Sequence, residues 1–245
     1  MDATLIFYPL LFVVAFLYAS VGHGGASGYL ALMALYGFAP EVMKPTALML
    51  NLFVSLTSYI QFYRGGHFKW KIFLPLALAS IPMAFVGGLL TIDATLYKKI
   101  LGVLLLLPIL RFFLLKDSEK AGSVEPQVWV SVLIGAGIGF LSGLIGIGGG
   151  IILSPILLLL NWTNQKQTAA ISALFIFVNS LSGLFGQMTK GIHFSTDMVW
   201  MVVIAFAGGL LGAWFGSLKF RQEVLKFTLA SVLTMAAFKL LFTSA

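Results

Sequence analysis

The sequence contains no cysteine and little charge: only 9% of its 245 residues are Asp, Glu, Lys or Arg. The lack of cysteine excludes disulfides, thiolate metal sites and cysteine nucleophiles. Soluble domains carry about 25% charged residues, so this charge content, beside 60% hydrophobic residues, excludes an ordinary soluble domain. The composition therefore predicts a membrane protein whose long apolar segments span the bilayer as helices.

Acidic residues are scarcer than basic ones, eight against 15. All eight fall at the ends of apolar segments or in loops: Asp2, Glu41, Asp93, Asp117, Glu119, Glu125, Asp197 and Glu223. Cation transporters usually hold Na⁺ or relay protons with carboxylates inside their spans. The missing mid-span carboxylate favours an anionic ligand, although backbone carbonyls are a second way to bind a cation. The net charge of +7 forms no basic tail or patch, so nucleic acid is not a predicted partner.

Glycine, by contrast, is abundant, with 26 residues. Three consecutive glycines, Gly148 to Gly150, interrupt a run without charge from Gln127 to Gln165 that is too long for one span. A second break lies at Val21 to Ala26. Broken helices at membrane depth are tolerated only where protein or a wet cavity surrounds them. Two such breaks in corresponding halves point to the binding site of a transporter.

The apolar segments predict an all-α polytopic membrane protein with two transmembrane repeats, residues 1–115 and 127–245, joined by a cytoplasmic linker at 116–126. Ala39-Pro40-Glu41 is interpreted as a turn. The expected spans and short pieces are 4–21, 26–38, 45–63, 72–90, 97–115, 127–146, 149–160, 167–189, 198–218 and 222–243.

The two halves match weakly but in register, which indicates an internal duplication. At an offset of 124 three glycines coincide, and at an offset of 126 Thr46 falls on Ser172. The octapeptide from Gln61 to Phe68 also matches the one from Gln187 to Phe194 in its Gln, basic, Gly, His and Phe positions.

The distribution of basic residues predicts that the repeats are inverted. If each glycine break makes a hairpin, ten Lys and Arg residues lie on the cytoplasmic side and five outside; without hairpins the division is eight to seven. The positive-inside rule favours the larger asymmetry. Each half is then a glycine-broken helical hairpin followed by three transmembrane helices, with both termini outside.

The short helices after the breaks supply a predicted anion site. Their first N–H groups lack intrahelical partners, and the helix dipole adds about half a positive charge at this end. Polar residues on neighbouring spans complete the site. The predicted substrate-binding residues are Gly22, His23, Gly24, Gly25, Thr46, Asn51, Gly146, Gly148, Gly149, Gly150, Ser172 and Asn179. The plainer alternative is that the glycines permit close helix packing and the polar side chains join helices.

An intramembrane serine protease is a second alternative, because Gly25-Ala26-Ser27-Gly28 matches a GxSG string and the chain contains histidines. The string is short, and its counterpart in the second half contains no serine. A purely structural role is a third alternative.

The chain resembles the TauE/SafE family of membrane transporters. The resemblance is carried by Leu144 to Pro155, by Thr168 to Ser172 and, more loosely, by Val21 to Ala26. It implies a multi-pass protein of the bacterial inner membrane that exports a small inorganic or organic sulfur oxyanion, such as sulfite, thiosulfate or an organosulfonate like sulfoacetate, by alternating access. Another small anion is the alternative substrate. The resemblance calls for no cofactor, metal or enzymatic activity, and a homodimer is one option for the oligomeric state.

Overall fold

The computed structural model describes residues 3–20, 25–114, 124–191, 195–216 and 233–242, and these form ten helices and no strand. The helices are α1 (Ala3–Ser20), α2 (Ala26–Leu35), α3 (Pro40–Arg64), α4 (Trp70–Leu89), α5 (Ala94–Leu114), α6 (Val128–Ile145), α7 (Gly150–Leu159), α8 (Gln165–Met188), α9 (Thr196–Gly216) and α10 (Leu233–Phe242). The prediction of an all-α protein is confirmed for this part of the chain.

Most helix limits agree with the predicted spans, but the start of α3 does not. The predicted turn at Ala39-Pro40-Glu41 is wrong, because Ala39 is the N-cap and Pro40 the first helical residue of α3. Proline suits this position, since its fixed φ matches the helix and the missing N–H has no intrahelical acceptor there. Most of the predicted linker, and the first part of the last predicted span, lie outside the described residues.

Three described helices, α4, α6 and α8, are long and apolar enough to cross a membrane. The 25-residue α3 is not among them, because it carries polar residues along its length. Many of these are buried, including Thr46, Asn51 and Ser55. The polar side of α3 therefore faces the protein interior rather than lipid.

Helices α4 and α6 run in the same direction along a seam of small residues. Every fourth residue on this face of α6 is a glycine that touches an α4 carbonyl: Gly135 meets Leu76, Gly139 meets Ser80 and Gly143 meets Ala84. Any side chain at these glycines would collide with the α4 backbone. The seam thus depends on small residues, as close helix packing in lipid usually does.

Two further helix pairs connect the halves of the chain. Gly208 and Gly212 of α9 pack on the backbone of Phe12 and Phe16, so α1 and α9 run in the same direction. Helices α3 and α8 run in opposite directions, since the contact of Asn51 with Ser180 is followed in reverse order by that of Leu48 with Gly183.

The first short helix folds back along the helix before it, whereas α7 packs mainly against α8. In the first half, Gly28 at the start of α2 lies against Tyr18 near the end of α1. At the other end, Phe7 near the start of α1 packs edge-to-face on Tyr36 and at a tilt on Phe38, with ring centroids 5.2 and 5.1 Å apart. In the second half, Gly149 reaches back to Ile138 of α6.

Candidate functional site

The break between α6 and α7 is built from glycines in the left-handed backbone region. Gly146, Gly148 and Gly149 have φ angles of 88°, 73° and 79°. Side chains with a Cβ rarely adopt this conformation, whereas glycine does so at little cost. The chain can therefore reverse within four residues, and α7 begins at Gly150 with its N-terminus in the protein interior.

Asn51 of α3 and Ser180 of α8 meet above this break. Asn51 Nδ2 donates a hydrogen bond to Ser180 Oγ at 3.2 Å, and both residues are fully buried. A Cβ added to Gly148 would lie 2.6 Å from Asn51 Nδ2 and 3.0 Å from Ser180 Oγ. The backbone of Gly148, the amide and the hydroxyl thus form one polar cluster, near the midpoint of α3.

Five buried side-chain atoms have no hydrogen-bond partner within the described residues: Asn51 Oδ1, Asn179 Oδ1, Ser55 Oγ, Ser142 Oγ and Tyr29 OH. Such groups are costly to bury and are normally satisfied by a ligand, an ion or water. If Ser180 donates to Oδ1 of Asn51 after an amide rotation, the NH₂ group becomes available to an anion. The hydroxyls of Ser55 and Ser142 can also act as donors.

The first break has the same backbone conformation at its end. Gly25 is the N-cap of α2 with φ 78°, which matches φ 79° at Gly149, the N-cap of α7. A Cβ on Gly25 would lie 2.6 Å from the Tyr29 hydroxyl oxygen, so the tyrosine covers this helix start. Three predicted site residues, Gly22, His23 and Gly24, lie outside the described residues.

Ser27, the serine of the protease alternative, shares a 2.7 Å hydrogen bond with Tyr18. Its partner among the described side chains is therefore a tyrosine hydroxyl. A phenol is not the basic imidazole that activates a serine nucleophile in a catalytic triad.

The remaining predicted residues have protein partners. Thr46 Oγ1 donates to the Val42 carbonyl at 2.6 Å, and Asn179 Nδ2 donates to the Phe175 carbonyl at 2.8 Å. Ser172 shares a 2.8 Å hydrogen bond with Ser154, which ties α8 to α7. Gly150 packs on Ile176. The structure thus brings Asn51 together with Gly148, and ligand contact by any of the predicted residues stays a prediction.

The positive potential near the break comes from a helix end and from lysines. The N-terminus of α7 contributes its dipole. Gly146 touches the backbone of Lys44, whose side chain is only 8% exposed. In the loop after α8, burial lowers the pKa of the Lys190 ammonium, and an anion bound beside it would stabilise the charged form. These groups favour an anion over a cation at this end of the bundle.

From the sequence, Ser180 is one of several polar candidates on its span, whereas Tyr29 and Lys44 were overlooked as residues near the breaks. Ser180 adjoins the predicted Asn179, but only the crossing of α3 and α8 shows which of the two faces Asn51. Tyr29 has a signal in the sequence, because it and Ser27 are the polar side chains of an apolar ten-residue helix and each hydroxyl calls for a partner. Lys44 has no such signal, because its burial becomes visible only in the fold.

The family model described as "Sulfite exporter TauE/SafE" matches residues 7–240. The chain belongs to the TauE/SafE family. The resemblance inferred from the glycine motifs is thus confirmed over nearly the whole chain. Membership, together with the apolar helices, identifies the chain as a multi-pass membrane transporter.

Curated relatives of this TauE/SafE chain are also described as transporters. "Probable membrane transporter protein y4hK" of Sinorhizobium fredii is 36% identical over 234 residues, covering 94% of this chain and 95% of the relative. "Probable membrane transporter protein MJ0441" of Methanocaldococcus jannaschii is 31% identical over 199 residues, which cover 76% of this chain and 74% of the relative. "Probable membrane transporter protein ORF9" of Sinorhizobium sp. is 30% identical over 217 residues, which cover 84% of this chain and 80% of the relative. No solved structure gives a significant match.

Proposed function

We propose that the protein exports small sulfur-containing anions, such as sulfite, thiosulfate or organosulfonates, and binds them where α3, α8 and the second glycine break meet. The observation that carries the proposal is the contact of Asn51 and Ser180 with Gly148 at the start of α7. The site offers neutral donors and a helix N-terminus. Neutral donors suit an ion that must bind and then leave.

Alternating access needs two units that move against each other, and we propose the two halves of the chain, residues 1–115 and 127–245, as inverted repeats. Three contacts support this assignment. Helix α4 of the first half packs parallel to α6 of the second, and α1 packs parallel to α9. The corresponding helices α3 and α8 cross in opposite directions. A two-fold axis in the membrane plane produces this exchange of partners.

The proposed route follows the crossing of α3 and α8. Leu48 packs beside Gly183, with 3.6 Å between Leu48 Cδ1 and a Cβ added to that glycine. This contact lies between the end of α8 and the Asn51–Ser180 pair. A small shift of α3 against α8 at Leu48 would open or close the site toward that end. In a bacterial inner membrane, such a movement would expose the anion to each side in turn.

The direct test is anion flux in proteoliposomes that contain the purified protein. Labelled sulfite, thiosulfate and ethanesulfonate would be loaded inside and their efflux compared with that of labelled Na⁺. We expect efflux of at least one sulfur anion above the rate of protein-free vesicles, and none of Na⁺. The matched control for the site is Ser58→Ala, which removes a buried α3 hydroxyl whose hydrogen bond, within the part of the chain that the structure describes, goes to the Val54 carbonyl of its own helix. Flux of Na⁺ alone, by correctly folded protein, would overturn the proposal.

A further inference from the structure

A cavity of about 390 Å³ opens at one end of the bundle, apart from the Asn51–Ser180 pair. It lies between the start of α3, the end of α4, the end of α8 and the start of α9. Its lining residues are Glu41, Val42, Lys44, Gly88, Leu90, Thr91, Gln187, Lys190, Gly191 and Met198. We call it the lysine cavity, because two of its walls carry a lysine.

The two lysines come from opposite halves of the chain. Lys190 Nζ donates to Thr91 Oγ1 at 3.1 Å, and Lys44 Nζ lies 4.7 Å from the centre of the Tyr97 ring. Neither lysine has a carboxylate within salt-bridge distance among the described residues. With Glu41 ionised, the wall of the cavity still carries one net positive charge. Lys44 is also more than nine-tenths buried, so its charge is only weakly screened by solvent.

The cavity continues toward the proposed substrate site along α3 and α8. Helix α3 rises about 1.5 Å per residue, so Asn51 lies about 10 Å deeper than Lys44. Lys190 follows the end of α8, and Gln187 and Ser180 lie on α8, so this segment follows the same path in the opposite direction. Gly146, the first glycine of the break, touches the Lys44 backbone. The cavity and the polar cluster of Gly148, Asn51 and Ser180, here called the Gly148 cluster, therefore lie next to each other along the contact between α3 and α8.

We propose that the lysine cavity is a second anion site, which holds a small oxyanion between Lys44 and Lys190 on its way to or from the Gly148 cluster. The ammonium groups bind the charged head, and the Thr91 hydroxyl adds a donor. Leu90, Val42 and Met198 line the rest of the wall and accept an apolar substituent on the anion. The route from cavity to cluster rests on the proposed function, whereas the anion affinity of the cavity does not.

Because the chain contains no cysteine, a single thiol can report on the cavity. Leu90→Cys places it at an exposed position of the lining. Its reaction rate would be measured with an anionic reagent, 2-sulfonatoethyl methanethiosulfonate, and a cationic one, 2-(trimethylammonio)ethyl methanethiosulfonate. Each rate is divided by the rate with 2-mercaptoethanol, which removes the intrinsic difference between reagents. We expect the anionic reagent to be favoured.

Lys190→Gln should reduce this preference by roughly threefold to tenfold, since one unit charge near the thiol is lost. Lys190→Arg should keep it. The matched control is Lys99→Gln, which removes an exposed lysine of α5 outside the lining and should leave the ratio within about twofold. Ethanesulfonate, which does not react with these reagents, should protect the thiol with saturation, and Lys190→Gln should raise the half-protecting concentration at least threefold. An unchanged ratio or an unchanged half-protecting concentration in Lys190→Gln would overturn the second site, and so would protection that fails to saturate when Lys190 is intact.

The failure of this inference is distinguishable from failure of the proposed function, because labelling needs no transport. If labelling depends on Lys190 but no sulfur anion is carried, the second site stands and the proposed function is wrong. If sulfur anions are carried and labelling ignores Lys190, the second site is wrong and the proposed function stands.

Discussion

Gly148 is the residue on which the candidate site depends, because its missing side chain leaves room for two others. Asn51 and Ser180 occupy the space that a Cβ would need. The φ of 73° adds a backbone cost for any other residue at this position. The sequence predicted Gly148 and Asn51 as site residues, but their pairing with Ser180 joins positions 129 residues apart and only the fold creates it.

Gly148→Ala should abolish anion flux while the protein still inserts and folds. The added methyl group would displace the Asn51 amide or the Ser180 hydroxyl and strain the left-handed turn. Flux in proteoliposomes and the elution profile of the purified protein would be measured together. The control is Gly137→Ala on α6, where an added Cβ has no atom within 4 Å. Wild-type flux in Gly148→Ala would show that the break serves packing alone.

Asn51→Ala should reduce anion flux by roughly tenfold to a hundredfold, which corresponds to the loss of one or two hydrogen bonds worth about 1–3 kcal/mol. Ser58 is another buried polar residue of α3, and its hydroxyl donates a hydrogen bond within the helix. The Ser58→Ala variant should therefore retain nearly full flux. The rates would be compared at equal amounts of reconstituted protein. Equal flux in the two variants would contradict a ligand role for Asn51.

At the scale of helices, spacing in the sequence determines how α6 can pack. Three glycines four residues apart leave one face of α6 without side chains, so α4 approaches its backbone. The pattern Gly135, Gly139, Gly143 is visible in the sequence, but its partner is not. The partner must place a backbone carbonyl opposite each of these glycines. Helix α4 does so at every turn, because it runs parallel to α6.

Gly139→Leu should destabilise the bundle more than Gly137→Leu, which changes the same helix two residues away. A side chain at position 139 collides with the Ser80 backbone, whereas position 137 is open. We expect a lower apparent melting temperature in detergent for Gly139→Leu and little change for Gly137→Leu. Similar melting temperatures would exclude the seam as a stabilising contact.

Asp93 caps the start of α5 and gives the fold a pH dependence. Its Oδ2 accepts from the backbone N–H of Thr95 at 2.8 Å and of Leu96 at 3.2 Å. The hydrogen bond from Leu96, followed by that from Thr95, lowers the pKa of this carboxyl. A lowered folded pKa means that the ionised cap stabilises the protein above the ordinary Asp pKa of about 3.9 and stops doing so as the pH falls through the folded value.

Asp93→Ala should therefore melt earlier than the wild type at pH 7, and the difference should shrink as the pH falls below about 4. Melting curves of both proteins in detergent at pH 7, 5, 4 and 3 would measure this difference in melting temperature. Glu41→Gln, which removes an exposed carboxylate from the first turn of α3, serves as the comparison. A difference between Asp93→Ala and wild type that stays constant with pH would contradict the charged cap.

At the scale of the whole molecule, the helix contacts gather lysines at one end of the bundle. Lys44 and Lys190 line the same cavity, and Lys239 Nζ donates to the Leu35 carbonyl at the end of α2. Arg64 lies at the opposite end of α3. The charge distribution in the sequence predicts that the lysine end faces outward and the Arg64 end faces the cytoplasm.

Single-cysteine labelling would test this orientation. Lys99→Cys should react with a membrane-impermeant maleimide in intact cells, whereas Lys69→Cys should react only after the membrane is opened. Both positions are exposed, and no native thiol competes. The reverse pattern would place the cytoplasm at the lysine end, and labelling of both in intact cells would indicate a mixed orientation.

The sequence by itself determined the class of protein, the family, the glycine breaks and most helix limits. These follow from local properties: hydrophobicity selects the spans, and the run of three glycines interrupts an apolar segment that is too long for one span. Only the tertiary structure decided that Asn51 meets Ser180 above Gly148, that α6 packs on α4, and that Lys44 and Lys190 share a cavity. These facts join distant residues, and apolar spans in lipid are alike in hydrophobicity. Their pairing is therefore set by the detailed fit of small residues and buried polar groups.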